Sequence, residues 1–174
     1  MDLLATFKDE YYPFSYIDHT RKVSRAIIIN ENNEILMLKI TRDDIFGNAT
    51  YLETPGGGVN ENEKLADAVI REVQEECGLN VKIINEIGLV EDDYNLIHRH
   101  NESFYYLVKV IDKTKLNREY YETQWIKDMI WININDLIDV LSQPSSDIAR
   151  VVYRREKIVL EKVKELIWMS ELYL

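Results

Sequence analysis

The chain has 174 residues, a length that predicts one domain with a sizeable core. Its net charge of −10 argues against broad electrostatic binding to nucleic acid or to an anionic membrane surface. The N-terminus has no long apolar run, which argues against a signal peptide or a membrane span, so we expect a cytoplasmic protein.

The first twenty residues carry four aromatic side chains between positions 11 and 16. This composition is not typical of a disordered tail. We therefore predict an N-terminal extension, residues 1–20, that packs either on the domain formed by residues 21–174 or on a second subunit. A homodimer is compatible with the second alternative.

Two apolar runs, residues 23–30 and 34–40, flank Glu31-Asn32-Asn33 and predict a β-hairpin. Arg25 lies in the first strand, where it is either a phosphate contact or a surface cation. The polar residues 41–49 predict a loop before a strand at Tyr51.

A helix is predicted from about residue 61 to residue 77. Asn60 is a favourable N-cap, Glu63 completes a variant of the capping box, and Gly78 is suited to end the helix. Apolar residues repeat at helical spacing and predict a buried face, formed by Ala66, Val69, Ile70, Val73 and Cys77. The single cysteine is therefore expected to be a core residue and not a nucleophile.

Three carboxylates, Glu72, Glu75 and Glu76, crowd the last turns of this helix, on the flank away from its apolar face. Like charges repel at this spacing, and the C-terminal end of the helix dipole disfavours negative charge. Arg71 can pair with Glu75, but one cation does not balance three anions. A bound Mg²⁺ or Mn²⁺ would resolve the conflict, because both ions prefer carboxylate oxygens. The alternative is a solvated acidic face.

After the helix, the sequence predicts a strand at 81–90 with a bulge at Gly88, a segment at 91–102 that is part strand and part loop, and a central strand at 103–111. A polar loop at 113–128 and a strand at 129–134 follow. The chain then forms a short helix at 135–141 and a long amphipathic helix at 146–169. His98 and His100 are expected at a plain hairpin tip; a role in holding substrate and, less favoured, a metal site are the alternatives. Together these elements predict an α/β protein, an α/β/α sandwich with a mixed sheet.

The segment from Gly57 to Leu79 resembles the signature of the Nudix hydrolases, G-x5-E-x7-R-E-U-x-E-E-x-G-U, where U is a bulky aliphatic residue. All specified positions match: Gly57, Glu63, Arg71, Glu72, Val73, Glu75, Glu76, Gly78 and Leu79. We call residues 57–79 the Nudix box. The family commonly has Glu-x-Gly-Glu before the helix, where this chain has Asn60-Glu61-Asn62-Glu63. Asn tolerates the left-handed conformation, so the turn should survive.

The resemblance implies the same sandwich fold and hydrolysis of a diphosphate bond in a nucleoside diphosphate linked to another group. It implies that Glu72 and Glu76 are the main ligands of Mg²⁺ or Mn²⁺. Glu75 would be a third ligand or the acceptor of a proton from water. The backbone carbonyl of Gly56 or Gly57 is a further candidate ligand, and Arg71 would orient the carboxylates.

Family members often add a carboxylate from a later loop, for which Glu119, Glu122 and Asp128 are candidates and Glu122 is favoured. Arg25, Gly57 and Tyr51 are expected to contact substrate. Four aromatic residues either stack on a base or sugar or belong to the core: Tyr51, Tyr94, Tyr105 and Trp125.

The substrate is expected to be a small nucleotide. A nucleotide sugar such as ADP-ribose, an oxidised nucleoside triphosphate and a dinucleoside polyphosphate all remain open, whereas the acidic charge disfavours a capped RNA. The alternatives to an enzyme are a domain that senses a nucleotide without cleaving it, and a structural domain whose acidic helix is merely solvated. Loss of a box carboxylate would indicate the sensing domain, but all of them are present.

Overall fold

The computed structural model of the protein describes residues 1–171. Within this range the chain forms β1 (Leu3–Phe7), β2 (His19–Ile28), β3 (Glu34–Asp44), β4 (Gly47–Glu53), β5 (Gly56–Gly58), α1 (Leu65–Cys77), β6 (Leu79–Tyr94), β7 (Arg99–Lys113), α2 (Tyr120–Trp125), β8 (Ile126–Asn133), α3 (Ile134–Leu141) and α4 (Asp147–Glu171). The last three residues of the predicted domain lie outside the described residues.

The strands form two sheets. The larger sheet has the order β1-β6-β7-β2-β5 and is mixed, because β2 runs parallel to β7 while β6 and β5 run antiparallel to their neighbours β7 and β2. The smaller sheet, β4-β3-β8, is antiparallel. Helix α1 packs on strands of the larger sheet, and α4 contacts strands of both sheets. The predicted α/β class with a mixed sheet is confirmed, as is the central position of β7.

The predicted hairpin of β2 and β3 is only partly correct. The turn is present, with Asn33 in the left-handed region at a φ of 57°, but the two strands are joined only through one bridge between Ile29 and Ile35. They then separate into different sheets. Both strands carry apolar runs that are buried on both faces, as expected when each strand lies inside a layered core.

The loop predicted at residues 41–49 is wrong. Strand β3 continues to Asp44 and β4 begins at Gly47, which adopts a φ of 97° after a two-residue turn. The strands are polar here because the hairpin extends beyond the core, where Thr41 and Thr50 share a hydrogen bond. Polarity along the sequence was therefore not a sign of irregular backbone.

Helix α1 begins at Leu65, about four residues later than predicted. Asn60 does not cap it; instead its backbone N–H donates to the Glu63 carboxylate within a separate turn. As expected, Asn62 occupies the left-handed region there, at a φ of 64°, and Gly78 closes the helix at the same φ.

The segment predicted as a polar loop at 113–128 contains helix α2. Its start is a capping box, in which the Glu119 and Glu122 side chains each accept a hydrogen bond from the backbone of the other. Glu–x–x–Glu was the available sequence signal, but glutamate is not among the favoured N-cap residues. The later strand and helices lie within a few residues of their predicted bounds.

The N-terminal residues pack on the rest of this chain. Strand β1 lies parallel to β6 at the edge of the larger sheet, and Lys8 forms an ion pair of 2.8 Å with Asp93. Asp9 accepts a hydrogen bond from the Asn95 backbone, and the Tyr16 ring stacks on His98 at the tip of the β6–β7 hairpin. Within the described residues, no helix is both long and apolar enough to cross a membrane.

Candidate active site

A cleft of about 600 Å³ lies between the two sheets and the helices α1, α2 and α4. Most predicted site residues line it: Arg25, Tyr51, Gly56, Gly57, Glu72, Glu76 and Glu122. Arg71 and Glu75 are not part of its lining among the described residues.

Three buried carboxylates meet at one end of the cleft. Glu72 and Glu76 come from α1 and Glu122 from α2, and one oxygen of each lies within 4.8 Å of the others. We call these three residues the carboxylate cluster. Glu72 and Glu76 were expected on a flank of α1 away from its buried face. That flank is itself buried, because it faces the cleft and residues 56–58, which we call the glycine loop.

Burial raises the pKa of the Glu72 carboxyl; Arg71 opposes the shift, and Glu75 and Glu122 add to it. Burial raises the pKa of Glu76 well above its ordinary value, and repulsion from Glu72 and Glu122 adds to the shift. Glu76 accepts a hydrogen bond of 2.7 Å from the Gly56 N–H, which opposes the shift. In the described part of the chain, neither Glu76 nor Glu122 forms an ion pair. Such a set of crowded, anionic oxygen donors fits Mg²⁺ or Mn²⁺.

Arg71 lies outside the cleft lining and positions the cluster through hydrogen bonds. Its guanidinium donates to Glu63 at 2.8 Å, to Glu72 at 2.7 Å and to Glu75 at 2.9 Å. A further bond of 3.0 Å reaches the Gly58 carbonyl oxygen. The predicted pair of Arg71 with Glu75 is thus present, and these bonds raise the pKa of Arg71 although burial opposes the shift. Glu75 lies outside the carboxylate cluster, so its role as a metal ligand stays a prediction without geometric support.

The glycine loop is packed too tightly for side chains. A Cβ at Gly56 would lie 2.3 Å from the Ser24 carbonyl oxygen, and its φ of 147° is open to glycine. A Cβ at Gly57 would lie 2.5 Å from a Glu72 carboxylate oxygen. The loop can therefore approach the cluster only as glycine, and its role as a carbonyl ligand stays a prediction.

Arg25 is buried in the cleft wall, so its interpretation as a surface cation is wrong. It forms an ion pair of 2.6 Å with Glu53 and donates to the Thr54 carbonyl. Arg155 from α4 reaches the same Glu53 carboxylate at 2.8 Å. Burial alone would raise the pKa of Glu53, but the two guanidinium groups hold it below its ordinary value.

The candidate aromatic residues divide into two groups. Tyr51, Tyr94 and Trp125 line the cleft, whereas Tyr105 is fully buried outside it and donates to Glu156, so a stacking role for Tyr105 is wrong. Burial raises the pKa of Tyr51 to about 12, so its phenol stays protonated at neutral pH. A substrate contact for Tyr51 stays a prediction.

The sequence model of the NUDIX domain matches residues 19–155 of this chain. The chain belongs to the Nudix hydrolase family.

Two curated relatives match this Nudix hydrolase over about two thirds of its length. The 8-oxo-dGTP diphosphatase of Escherichia coli (strain K12) is 30% identical over 115 residues, which are 66% of this chain and 85% of the relative. Nudix hydrolase 7 of Arabidopsis thaliana is 22% identical over 125 residues, 67% of this chain and 44% of the relative.

Solved structures show the same fold. The MutT protein from Methanosarcina mazei Go1 has a TM-score of 0.63 at 23% identity, over 87% of this chain and 98% of its own. A NUDIX hydrolase from Nitrosomonas europaea has a TM-score of 0.61 at 16% identity, over 80% of this chain and 91% of its own.

Sequence reasoning missed the charged residues that α4 places beneath the Nudix box. Arg155 and Glu156 are both buried, and Glu156 accepts a hydrogen bond of 2.9 Å from the Thr54 hydroxyl. A signal was present, because Glu156 lies at helical spacing between Val152 and Val159 on the apolar stripe of α4. A charged residue in such a stripe indicates a buried partner elsewhere in the chain.

Proposed function

We propose that the protein is a metal-dependent pyrophosphohydrolase. Its substrate would be a nucleoside diphosphate linked to another moiety, either a nucleotide sugar such as ADP-ribose or a modified nucleoside triphosphate. The observation that carries the proposal is the carboxylate cluster, three buried acidic side chains whose oxygens lie within 4.8 Å of one another at the end of a cleft. The similarity to an 8-oxo-dGTP diphosphatase supports a nucleotide substrate.

Glu72, Glu76 and Glu122 would hold Mg²⁺ or Mn²⁺. When bound there, such an ion would neutralise charge on the diphosphate and acidify a water molecule. Arg71 positions the Glu72 carboxylate and ties it to the loop through the Gly58 carbonyl. The Gly56 N–H fixes one Glu76 oxygen, so two carboxylates are oriented before any substrate enters.

In this proposal the water oxygen attacks one phosphorus atom, and the bond from that phosphorus to the bridging oxygen breaks. The proton lost by the water goes to a cluster carboxylate, and Glu76 is our candidate. Glu76 lines the cleft, and the Gly56 N–H fixes one of its two oxygens, so the other oxygen is the candidate acceptor. Glu75, held by Arg71 at the edge of the cluster, is the alternative acceptor implied by the Nudix box.

The partner in this proposal is a small nucleotide. A net charge of −10 disfavours an extended nucleic-acid surface, although the cleft itself contains several arginines. The cytoplasmic location expected from the sequence belongs to the same proposal.

The test is release of nucleotide products from a panel of nucleoside diphosphate derivatives, with Mg²⁺ or with EDTA. We expect turnover of at least one compound that EDTA abolishes, and a loss of roughly a hundredfold or more in Glu76→Gln and Glu122→Gln. Glu161→Gln, on an exposed position of α4, is the matched control and should keep full activity. Binding of a nucleotide without turnover would instead identify a sensing domain. Full activity of Glu76→Gln would remove Glu76 from the mechanism.

A further inference from the structure

The end of the cleft away from the carboxylate cluster carries a row of polar side chains on two adjacent strands. Strands β2 and β7 run parallel, and Arg21 lies opposite Asn101 while Val23 lies opposite Ser103. Arg99, Asn101 and Ser103 occupy alternate positions of β7, so they share one face of the sheet, and all three line the cleft with Arg21. We call Arg21, Arg99, Asn101 and Ser103 the polar ladder.

The ladder contains polar groups that lack partners. Asn101 and Ser103 are 4% and 1% exposed, yet Asn101 Oδ1 and Ser103 Oγ have no hydrogen-bond partner among the described residues. The same holds for the buried Nε of Arg99, whose guanidinium lies 5.3 Å from the centre of the Tyr94 ring. Buried polar groups without partners are rare, and each requires an explanation such as an absent ligand.

The two ladder arginines also differ from the other arginines of the cleft. Arg25, Arg42 and Arg155 each form an ion pair with a carboxylate. Over residues 1–171, neither Arg21 nor Arg99 forms one. Asp92 is close enough to act on Arg99, but its own ion pair is with Arg155.

Two guanidinium groups therefore line the same cleft with no carboxylate of the described residues within ion-pair distance. Burial, followed by repulsion from Arg21, lowers the pKa of Arg99. Arg21 is exposed at the cleft rim, where one of its terminal nitrogens would lie 3.2 Å from a Cβ at Gly58, so the glycine loop also leaves room for this side chain. In a chain with a net charge of −10, such a local excess of positive charge is suited to an anion.

The position of the ladder separates it from the carboxylate cluster. The Gly56 that bonds to Glu76 pairs with Arg25, and Arg21 lies four residues before Arg25 on β2. At about 3.3 Å per residue, this places the Arg21 backbone about 13 Å from that of Arg25 along the strand. The Arg21 guanidinium reaches back towards Gly58, but Arg99 lies opposite His19, six residues or about 20 Å along β2 from Arg25. An anion held by Arg99 would thus be a different group from the diphosphate at the carboxylates.

We propose that the polar ladder binds a phosphate group of the substrate other than those of the scissile diphosphate. The inference rests on the proposed function and narrows it to nucleotides that carry a further phosphate at the end remote from the cleaved bond. A phosphate fits better than a carboxylate, because three terminal oxygens can accept bonds from two guanidinium groups, a hydroxyl and an amide together. The buried atom of the Asn101 amide is Oδ1, so its NH₂ group is the donor that remains for an anion in the cleft.

The test is an NMR titration of the whole protein with inorganic phosphate, in EDTA, at low salt and near neutral pH. The readout is the arginine Nε–Hε signals, which are assigned to Arg21 and Arg99 by their loss in Arg21→Ala and Arg99→Ala. We expect a saturable shift of the Arg99 signal in the wild type and affinity about tenfold weaker in Arg99→Lys, which keeps the charge but not the fork of donors. Arg150→Ala, an exposed arginine of α4, removes the same charge and should bind as the wild type does.

An Arg99 signal that does not move, or an equal loss of affinity in Arg150→Ala, would overturn the proposal. The wild-type titration decides even if a variant fails to fold. The experiment contains no divalent ion and no hydrolysis, so its result is independent of the proposed reaction. Phosphate binding without any turnover would refute the proposed hydrolase activity and support the phosphate site at the polar ladder. Turnover without phosphate binding would refute the phosphate site and support the hydrolase activity.

Discussion

Replacing Glu76 by Gln should stabilise the metal-free protein while it removes activity. The cluster oxygens lie within 4.8 Å of one another. At an effective dielectric constant of about 20, two unit charges at that separation repel by roughly 3 kcal/mol, and Glu76 faces two such neighbours. Partial protonation and the action of Arg71 on Glu72 reduce this gross value. Since Gln can still accept from the Gly56 N–H, we expect a net gain of about 1–3 kcal/mol in the free energy of unfolding.

The gain should depend on pH in a defined direction. The pKa of Glu76 is raised in the folded state by burial, so its protonated form favours folding. The stability contributed by Glu76 is therefore fully present below the pKa of its carboxyl in the unfolded chain, about 4.3. It is lost as the pH rises through the pKa of the same carboxyl in the folded protein. The advantage of Glu76→Gln should accordingly be small in mild acid and should grow towards alkaline pH.

The assay is urea unfolding followed by circular dichroism in EDTA, in mild acid and near pH 8, and again with Mg²⁺. Mg²⁺ should stabilise the wild type more than Glu76→Gln, because the ion neutralises a repulsion that the variant lacks. Glu161→Gln controls for the loss of one surface charge. If Glu76→Gln is less stable than the wild type near pH 8 in EDTA, the carboxylate is needed as an acceptor and the repulsion argument fails.

Three further changes test separate contacts. Gly57→Ala should lower kcat roughly tenfold or more with the fold retained, because its Cβ would displace the Glu72 carboxylate; a crystal structure and steady-state kinetics would check both statements. Arg71→Lys should reduce activity and lower the free energy of unfolding by about 1–3 kcal/mol, since an ammonium group cannot bond to four acceptors at once; urea unfolding measures the second effect. Asp93→Asn should destabilise the protein by about 1 kcal/mol at neutral pH. Burial would raise the pKa of Asp93, but hydrogen bonds from His100 and Lys8 and the charge of Lys8 hold it below its ordinary value. The stability from Asp93 is therefore present above its pKa in the unfolded chain and should vanish as the pH falls through its pKa in the folded protein.

The parts of the fold that sequence predicts well are those in which cause and effect are close along the chain. Gly78 ends α1 because the next turn needs a left-handed residue, and Asn62 survives in a glycine position for the same local reason. The i,i+4 pair of Arg71 with Glu75 is likewise set by near neighbours, whereas the glycine at the Gly88 bulge leaves room for Leu4, far away in the chain. The Nudix box is such a segment throughout, so its placement could be predicted.

The residues whose burial or contacts were not predicted have partners that lie far away in the chain. Glu156 is buried because the Thr54 hydroxyl, 102 positions earlier, donates to it, and Arg155 is buried because Glu53 and Asp92 surround it. Glu122 was favoured among three candidates and lies beside Glu72, but its position there depends on α2, which was predicted as a loop. The polar ladder was missed as well, since only the parallel register of β2 and β7 brings its members together.

The protein's own hydrogen bonds orient the carboxylate cluster. Arg71 holds Glu72, the Gly56 N–H holds Glu76, and the Glu119 backbone N–H holds Glu122 at 2.7 Å. These bonds fix the oxygens near one another although each carboxylate opposes the other two, so the repulsion is maintained in the free protein. Binding of a divalent cation would then require little rearrangement and would release that repulsion. The same repulsion therefore destabilises the metal-free protein and strengthens cation binding. A substitution that removes the repulsion should raise the free energy of unfolding of the metal-free protein and weaken its affinity for the cation.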